Sequence, residues 1–237
     1  MSSAASMQRV ARVALFIERY ALSLLFFWFA SKQLGRIEFA VHAWRGGNAA
    51  AFADLVNQSL IFVLQLVAGI ALLVNKPAER LPQNWKELVV PLLGTFFYLS
   101  YGLAGNFPEP LRSSLAPRQW QAPLAAIGLG ISCVGSAIAA WGAITLGRSF
   151  AVLVAVRDIV SRGPYRFVRH PIYLGYILNM VTLFLSRASL GMALLVATHF
   201  AITLWRAQLE EASLQAHSET YRRYAQRTGF LLPRFRS

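Results

Sequence analysis

Charge is scarce in this chain: only 14% of its 237 residues are charged, and just 10 are acidic. A soluble domain carries roughly 25% charged residues, so this one has too little polar surface to cover a core in water. Cysteine is nearly missing as well. Cys133 is the single one, which excludes an intramolecular disulfide and any multi-cysteine metal site. It sits in an apolar block and reads as a small buried hydrophobe. The four histidines, His42, His170, His199 and His217, share no short ligand spacing, so no metal is expected. A P-loop is absent. Gly128-Leu129-Gly130 lacks both a preceding strand and the third glycine of the dinucleotide fingerprint, and reads as packing. No long-period repeat is present.

What the chain has is apolar sequence in long blocks, 56% hydrophobic residues with a mean hydropathy of +0.47. These properties predict an all-α, polytopic integral membrane bundle. Four blocks read as spans, about 13–30, 55–74, 88–104 and 122–146. Two shorter ones, 172–185 and 190–205, are separated only by Ser186-Arg187-Ala188-Ser189 and read as a helical hairpin. Arg9 and Arg12 ahead of an apolar stretch resemble a secretory signal. Trp28 would occupy the −3 position of a cut after Ala30, so an uncleaved first span is expected. The chain divides into N-terminal spans, 1–121, and a region 122–237 that carries the chemistry.

The formal charge of +13 does not point to nucleic acid, because the basic residues lie between apolar blocks rather than on one soluble face. Such residues set topology and meet anionic lipid headgroups. With the N-terminus placed in the cytosol, 16 Lys and Arg fall on the cytosolic side and 6 on the other, Arg19 lying within the first span. This asymmetry predicts both termini and the site on the cytosolic side.

The chemistry concentrates in the last 90 residues or so. In the fourth block Gly128, Ser132, Ser136 and Ala140 recur every four residues and invite a close helix neighbour. The connection 147–170 is too long for a plain turn, and its apolar, β-rich Phe150–Val156 argues against disorder. It ends in Arg169-His170-Pro171. Pro171 suits the first turn of a helix, which puts His170 at the N-cap. On the returning helix His199, Thr203, Arg206 and Glu210 are spaced 4, 3 and 4 and share one face, with Glu211 beside them. A polar stripe of this kind at membrane depth faces a bundle interior or cavity. Residues 212–227 read as an amphipathic interfacial helix closed by Gly229 and Pro233.

The run Leu146-Gly-Arg-Ser-Phe150, then Gly163-Pro-Tyr-Arg-Phe-Val-Arg-His-Pro-Ile-Tyr-Leu-Gly175, Glu210-Glu211, Tyr221-Arg-Arg-Tyr224 and Leu232-Pro233 resembles the isoprenylcysteine carboxyl methyltransferase family. Phospholipid N-methyltransferases are close relatives. The resemblance covers about 146–235 and implies an integral-membrane methyltransferase that uses S-adenosylmethionine on a lipophilic or lipidated substrate. It implies cofactor contacts at Gly163, Tyr165, His170, Tyr173, Glu210 and Glu211. It also implies catalytic roles for Arg169, His170 and Arg206, with Arg169 or Arg206 as the partner of a carboxylate. One departure is Ala216-His-Ser-Glu-Thr-Tyr221, where family members commonly have a glycine before the tyrosine pair. The final residues, Arg234-Phe-Arg-Ser237, form no CaaX box, so the chain is not expected to be a prenylation substrate itself.

Three other readings stand beside this one: a phospholipid N-methyltransferase, a sterol-reductase-like enzyme with a nicotinamide cofactor, and an inactive membrane scaffold. A carboxylate acceptor is already ionised at pH 7 and needs no base. An amine acceptor must first lose a proton, which would make His170 or Glu210 the candidate base.

Overall fold

The computed structural model describes residues 2–48 and 50–234. Its elements are α1 (Ser2–Ile17), a π turn (Glu18–Leu22), α2 (Ser23–Arg45), α3 (Ala50–Leu73), α4 (Lys86–Phe96) continued by a 3₁₀ segment (Phe97–Asn106), α5 (Arg118–Leu146), α6 (Pro171–Arg187), α7 (Leu190–His217) and α8 (Glu219–Arg227). Among the described residues there is no strand, only isolated bridges. Five helices among the described residues are long and apolar enough to cross a membrane. α6, with 17 residues, extends about 26 Å at 1.5 Å per residue and is the short arm of the hairpin. The chain is a polytopic helical membrane protein.

The first span differs from its expected limits of 13–30. No proline and a single glycine, Gly35, interrupt 2–45, and the charged residues beyond Ala30 are good helix formers, so the helix continues to Arg45. Arg19 sits at one end of the bundle, where its Nη2 donates to Asn75 O at 2.5 Å and its Nε to Asn75 Oδ1 at 3.1 Å. α2 runs from that end beside α3, and Gln33 pairs with Gln58 farther along. α1 projects past this end, its Val10, Val13 and Phe16 exposed.

The remaining legs alternate in direction. α4 lies antiparallel to α7: His199 Nε2 donates to Gly94 O at 3.0 Å, and Arg206 Nη1 reaches Thr95 Oγ1 at 2.8 Å. The hairpin turns at Ala188, a left-handed residue (φ 40°), and Ser189, whose side chain caps α7 by accepting from Met192 N at 3.2 Å. α7 runs twelve residues past its expected end at 205. The expected continuous interfacial helix 212–227 is broken at Ser218, whose extended backbone and side-chain cap of Tyr221 N (3.2 Å) start α8 afresh. His170 is the N-cap of α6 and Pro171 its first residue, as the sequence predicts.

α5 and α6 form the tightest pair. The glycines facing α6 recur every seven residues, Gly128, Gly135 and Gly142, rather than every four. Thr182 Oγ1 donates to the backbone carbonyl Gly128 O at 2.7 Å. Ser132 and Ser136 instead turn toward a buried polar knot, both donating to Asn57 Oδ1, at 3.1 and 2.9 Å, with Asn179 alongside. A Cβ on Gly135 would stand 2.8 Å from Gly175 O and 2.9 Å from Leu178 Cβ. Gly135→Val should therefore destabilise the fold by at least about 1–3 kcal/mol, read as a lower unfolding temperature in detergent. Gly130→Ala, which meets nothing within 4 Å, should leave that temperature unchanged or slightly raised.

Candidate active site

The connection 147–170, irregular apart from 3₁₀ turns at Gly147–Ser149 and Gly163–Arg166, is folded into the end of the bundle, with Val152, Leu153, Val154 and Val156 all buried. Its apolar, β-rich residues are packed, but not as a strand, because their partners come one at a time from other elements. Buried backbone donors need acceptors, and here each finds one. Val152 N and Leu153 N donate to Glu18 Oε1 at 2.5 and 2.9 Å, Val154 N to Glu87 O at 3.2 Å, and Val156 N to Arg80 O at 3.2 Å. Val152 O accepts from Arg206 Nη2 at 2.8 Å.

This segment, α6, α7 and α8 enclose a cavity of about 150 Å³, several times the ~30 Å³ share of one water. Tyr165, Arg169, His170, Tyr173, Arg206 and Glu210 all line it. Gly163 and Glu211 do not. Gly163 makes a turn at φ +58° against Thr145, where a Cβ would lie 2.8 Å from Thr145 Oγ1, so its demand is conformational.

Glu211 sits behind the wall and ties it together. Its Oε1 accepts from Arg169 Nε at 2.8 Å, His170 Nε2 at 2.9 Å and Tyr221 Oη at 2.6 Å, and its Oε2 accepts from Gln215 at 2.9 Å. Arg169 also donates through Nη1 to the carbonyls of Ala225, at 2.8 Å, and Thr228. His170 stacks on Tyr173 with centroids 5.4 Å apart and meets the Phe230 edge at 4.9 Å. The Arg169 and His170 amides donate to Gly229 O and Phe230 O. α8 and the strap after it are thus fastened to the mouth of α6.

Glu210, one position earlier, points into the cavity and accepts from Tyr173 Oη and from Arg206 Nε at 3.3 Å. The Arg206 guanidinium lies 5.1 Å from the centre of the Tyr173 ring. Every nitrogen of Arg206 has a protein acceptor. His199 shares the face but not the site: Tyr101 Oη lies 3.1 Å from its Nδ1, and with Nε2 on Gly94 it holds α7 to α4. Burial pushes the phenols of Tyr165, Tyr221 and Tyr224 up, the last to about 12, so all three keep their protons at neutral pH.

Two residues of this region escape a reading of the sequence, Arg157 in the cavity wall and Glu18 behind it. Glu18 lies fully buried in the first helix, 134 positions before the backbone it holds. The π turn that carries it is the local deformation that aims its carboxylate at the connection. Arg157 follows the apolar run. Its Nε donates to Lys76 O at 2.9 Å, its Nη2 lies 3.4 Å from Glu18 Oε2, and its Nη1 is buried with no acceptor. A buried donor left unmade costs about 1–3 kcal/mol, more for a charged one. The one sequence signal for Glu18 is an acidic residue in an apolar block of a chain with few acids.

Glu211→Gln should loosen α8 and cost about 3 kcal/mol by removing the charge that Arg169 faces. Faster amide exchange over 218–234 and a lower unfolding temperature would register it, whereas Glu210→Gln should leave that exchange unchanged.

Comparison with known proteins places this region. Residues 127–216 match the isoprenylcysteine carboxyl methyltransferase (ICMT) family. A solved structure of the eukaryotic intramembrane Ras methyltransferase ICMT, without a monobody, aligns at 20% identity and TM-score 0.41, covering 94% of this chain and 97% of that one. Among curated proteins no match is found. The segment from mid-α5 through α7, which supplies most of the cavity wall, is the part of the chain that matches this family.

Proposed function

We propose that the chain is an integral-membrane methyltransferase that uses S-adenosylmethionine to methylate the carboxylate of an isoprenylcysteine-like lipophilic acceptor, with the cavity and both chain ends on the cytosolic side. The observation that carries this reading is the cavity itself, walled by the family-matching segment at the end of a membrane bundle. The residues present fit a cationic methyl donor. The Glu210 carboxylate and the faces of Tyr165, Tyr173 and Tyr176 offer negative potential to a positive centre. Arg157 offers an unused donor to an anionic one.

When bound, S-adenosylmethionine supplies an electrophilic methyl group for in-line displacement. The chain's own part is alignment and exclusion of water. Buried Val152, Leu153 and Val154 close one side, and His170 and Tyr173 form a rigid stack on another. Positive donor and negative acceptor lose their charges together in the transition state, and a low-dielectric pocket at a membrane end favours that loss. A carboxylate acceptor also fits the engagement of both candidate bases. His170 is engaged by Glu211, and Glu210 by Tyr173 and Arg206, so neither stands ready to deprotonate an amine.

Orientation follows from charge. The 16 Lys and Arg assigned to the cytosolic side include Arg157, Arg169 and Arg206 at this cavity, and Arg236, which lies outside the described residues.

Calorimetric titration of the detergent-solubilised protein should give saturable binding of S-adenosylhomocysteine and none of a reduced nicotinamide cofactor. Glu210→Gln should weaken that binding about tenfold, the size of one charged contact. Incubation with S-adenosylmethionine and a farnesylated cysteine should yield the methyl ester. A folded protein that binds no S-adenosylhomocysteine would overturn the reading.

A further inference from the structure

Three arginines line the cavity, and they are employed differently. Arg206 has a protein acceptor for each of its nitrogens. Arg169 is committed to Glu211 and to two carbonyls of the C-terminal strap. Arg157 has its Nε on Lys76 O and its Nη2 near Glu18, while Nη1 is buried without an acceptor. Among the described residues only one other buried side-chain polar atom lacks a partner, Gln65 Oε1, and Gln65 is not part of the cavity wall.

The Arg157 side chain is 4% exposed, so its orientation is set by protein and not by water. Glu18 sets it. One carboxylate oxygen receives the Val152 and Leu153 amides, which fixes the segment leading to Arg157, and the other faces the guanidinium directly. A guanidinium held at two nitrogens has only its third left to act, and that geometry suits one oxygen of a carboxylate. Glu18 lies outside residues 127–216, so the N-terminal helix completes a site that the family region only begins.

We infer that Arg157, oriented by Glu18, is the carboxylate-binding residue of this cavity, donating through Nη1 to an anionic group of a bound ligand. The inference rests on the methyltransferase reading, in which two ligands bear a carboxylate: the amino-acid end of the methyl donor and the cysteine end of the acceptor. Arg157 is a binding residue and Glu18 a positioning residue. Arg169 and Arg206, the partners that the sequence favours, keep the walls in place.

The test compares S-adenosylhomocysteine with 5′-methylthioadenosine, which lacks the amino-acid end, by titration against wild type, Arg157→Gln and Glu18→Gln. If Arg157 holds the donor's carboxylate, Arg157→Gln weakens S-adenosylhomocysteine by about 10- to 100-fold and leaves 5′-methylthioadenosine unchanged, the size of one charge-assisted hydrogen bond. Glu18→Gln shows the same selectivity, a change that a merely structural role would not produce. If Arg157 holds the acceptor's carboxylate, both nucleosides bind as before and the KM for a farnesylated cysteine rises by a similar factor at unchanged kcat. Equal weakening of both nucleosides, or no change in either nucleoside or in KM, overturns the inference. Should Arg157→Gln not fold, Arg157→Lys carries the same comparison, since it keeps the charge and loses the Nη1 position. Wild type that binds neither nucleoside nor methylates an acceptor removes the methyltransferase reading, and the inference with it.

Discussion

Glu211 Oε1 accepts hydrogen bonds from Arg169 and His170, where the connection enters α6, and from Tyr221 of α8. The end of the connection, the mouth of α6 and the helix α8 meet at that oxygen. Each has its own reason to be elsewhere: the connection has only two short 3₁₀ turns, α8 has nine residues, and the strap beyond it has no regular structure. Without a charged acceptor at their junction the Arg169 guanidinium would be left facing protein carbonyls alone. The cavity exists because these pieces stay closed around it, and Glu210, the neighbour that points inward, inherits its position from the same turn of α7.

A second constraint acts on the opposite wall. Irregular backbone buried at the end of a membrane bundle must find acceptors for its amides, and those of Val152, Leu153, Val154 and Val156 find them on Glu18, Glu87 and Arg80. A buried carboxylate in the first helix is costly unless it is met by donors, and two amides and a guanidinium meet Glu18. The site is therefore built from both halves of the chain. The polar knot of Asn57, Ser132, Ser136 and Asn179 and the close pass of Gly135 on Gly175 hold the helices that carry it.

The bundle was legible in the sequence because apolar blocks and their basic flanks report directly on membrane crossing. The mouth of the hairpin was legible because Pro171 suits the first turn of a helix. What stayed hidden depended on distance in sequence. Glu18 has no motif, and its role appears only when the π turn that carries it packs against a loop more than 130 residues away. Glu210 and Glu211 are adjacent, and the sequence could not divide the work between them. Helix phase does so, with Glu210 toward the cavity and Glu211 toward α8. The arginines could not be ranked for a related reason: Arg169 and Arg206 stand beside the motifs and bond to protein groups, while Arg157 sits at the end of an apolar run without notice. Ser218 broke a helix that charge patterning alone made continuous.

The account places methyl-donor binding in the cleft between the connection, α6 and α7. A crystallographic difference map of the protein grown with S-adenosylhomocysteine tests that placement directly. The account predicts density lying among Tyr165, Tyr173 and Glu210, on the side of Glu210 that faces away from Glu211. Density elsewhere on the molecule, with this cleft unchanged, would contradict it.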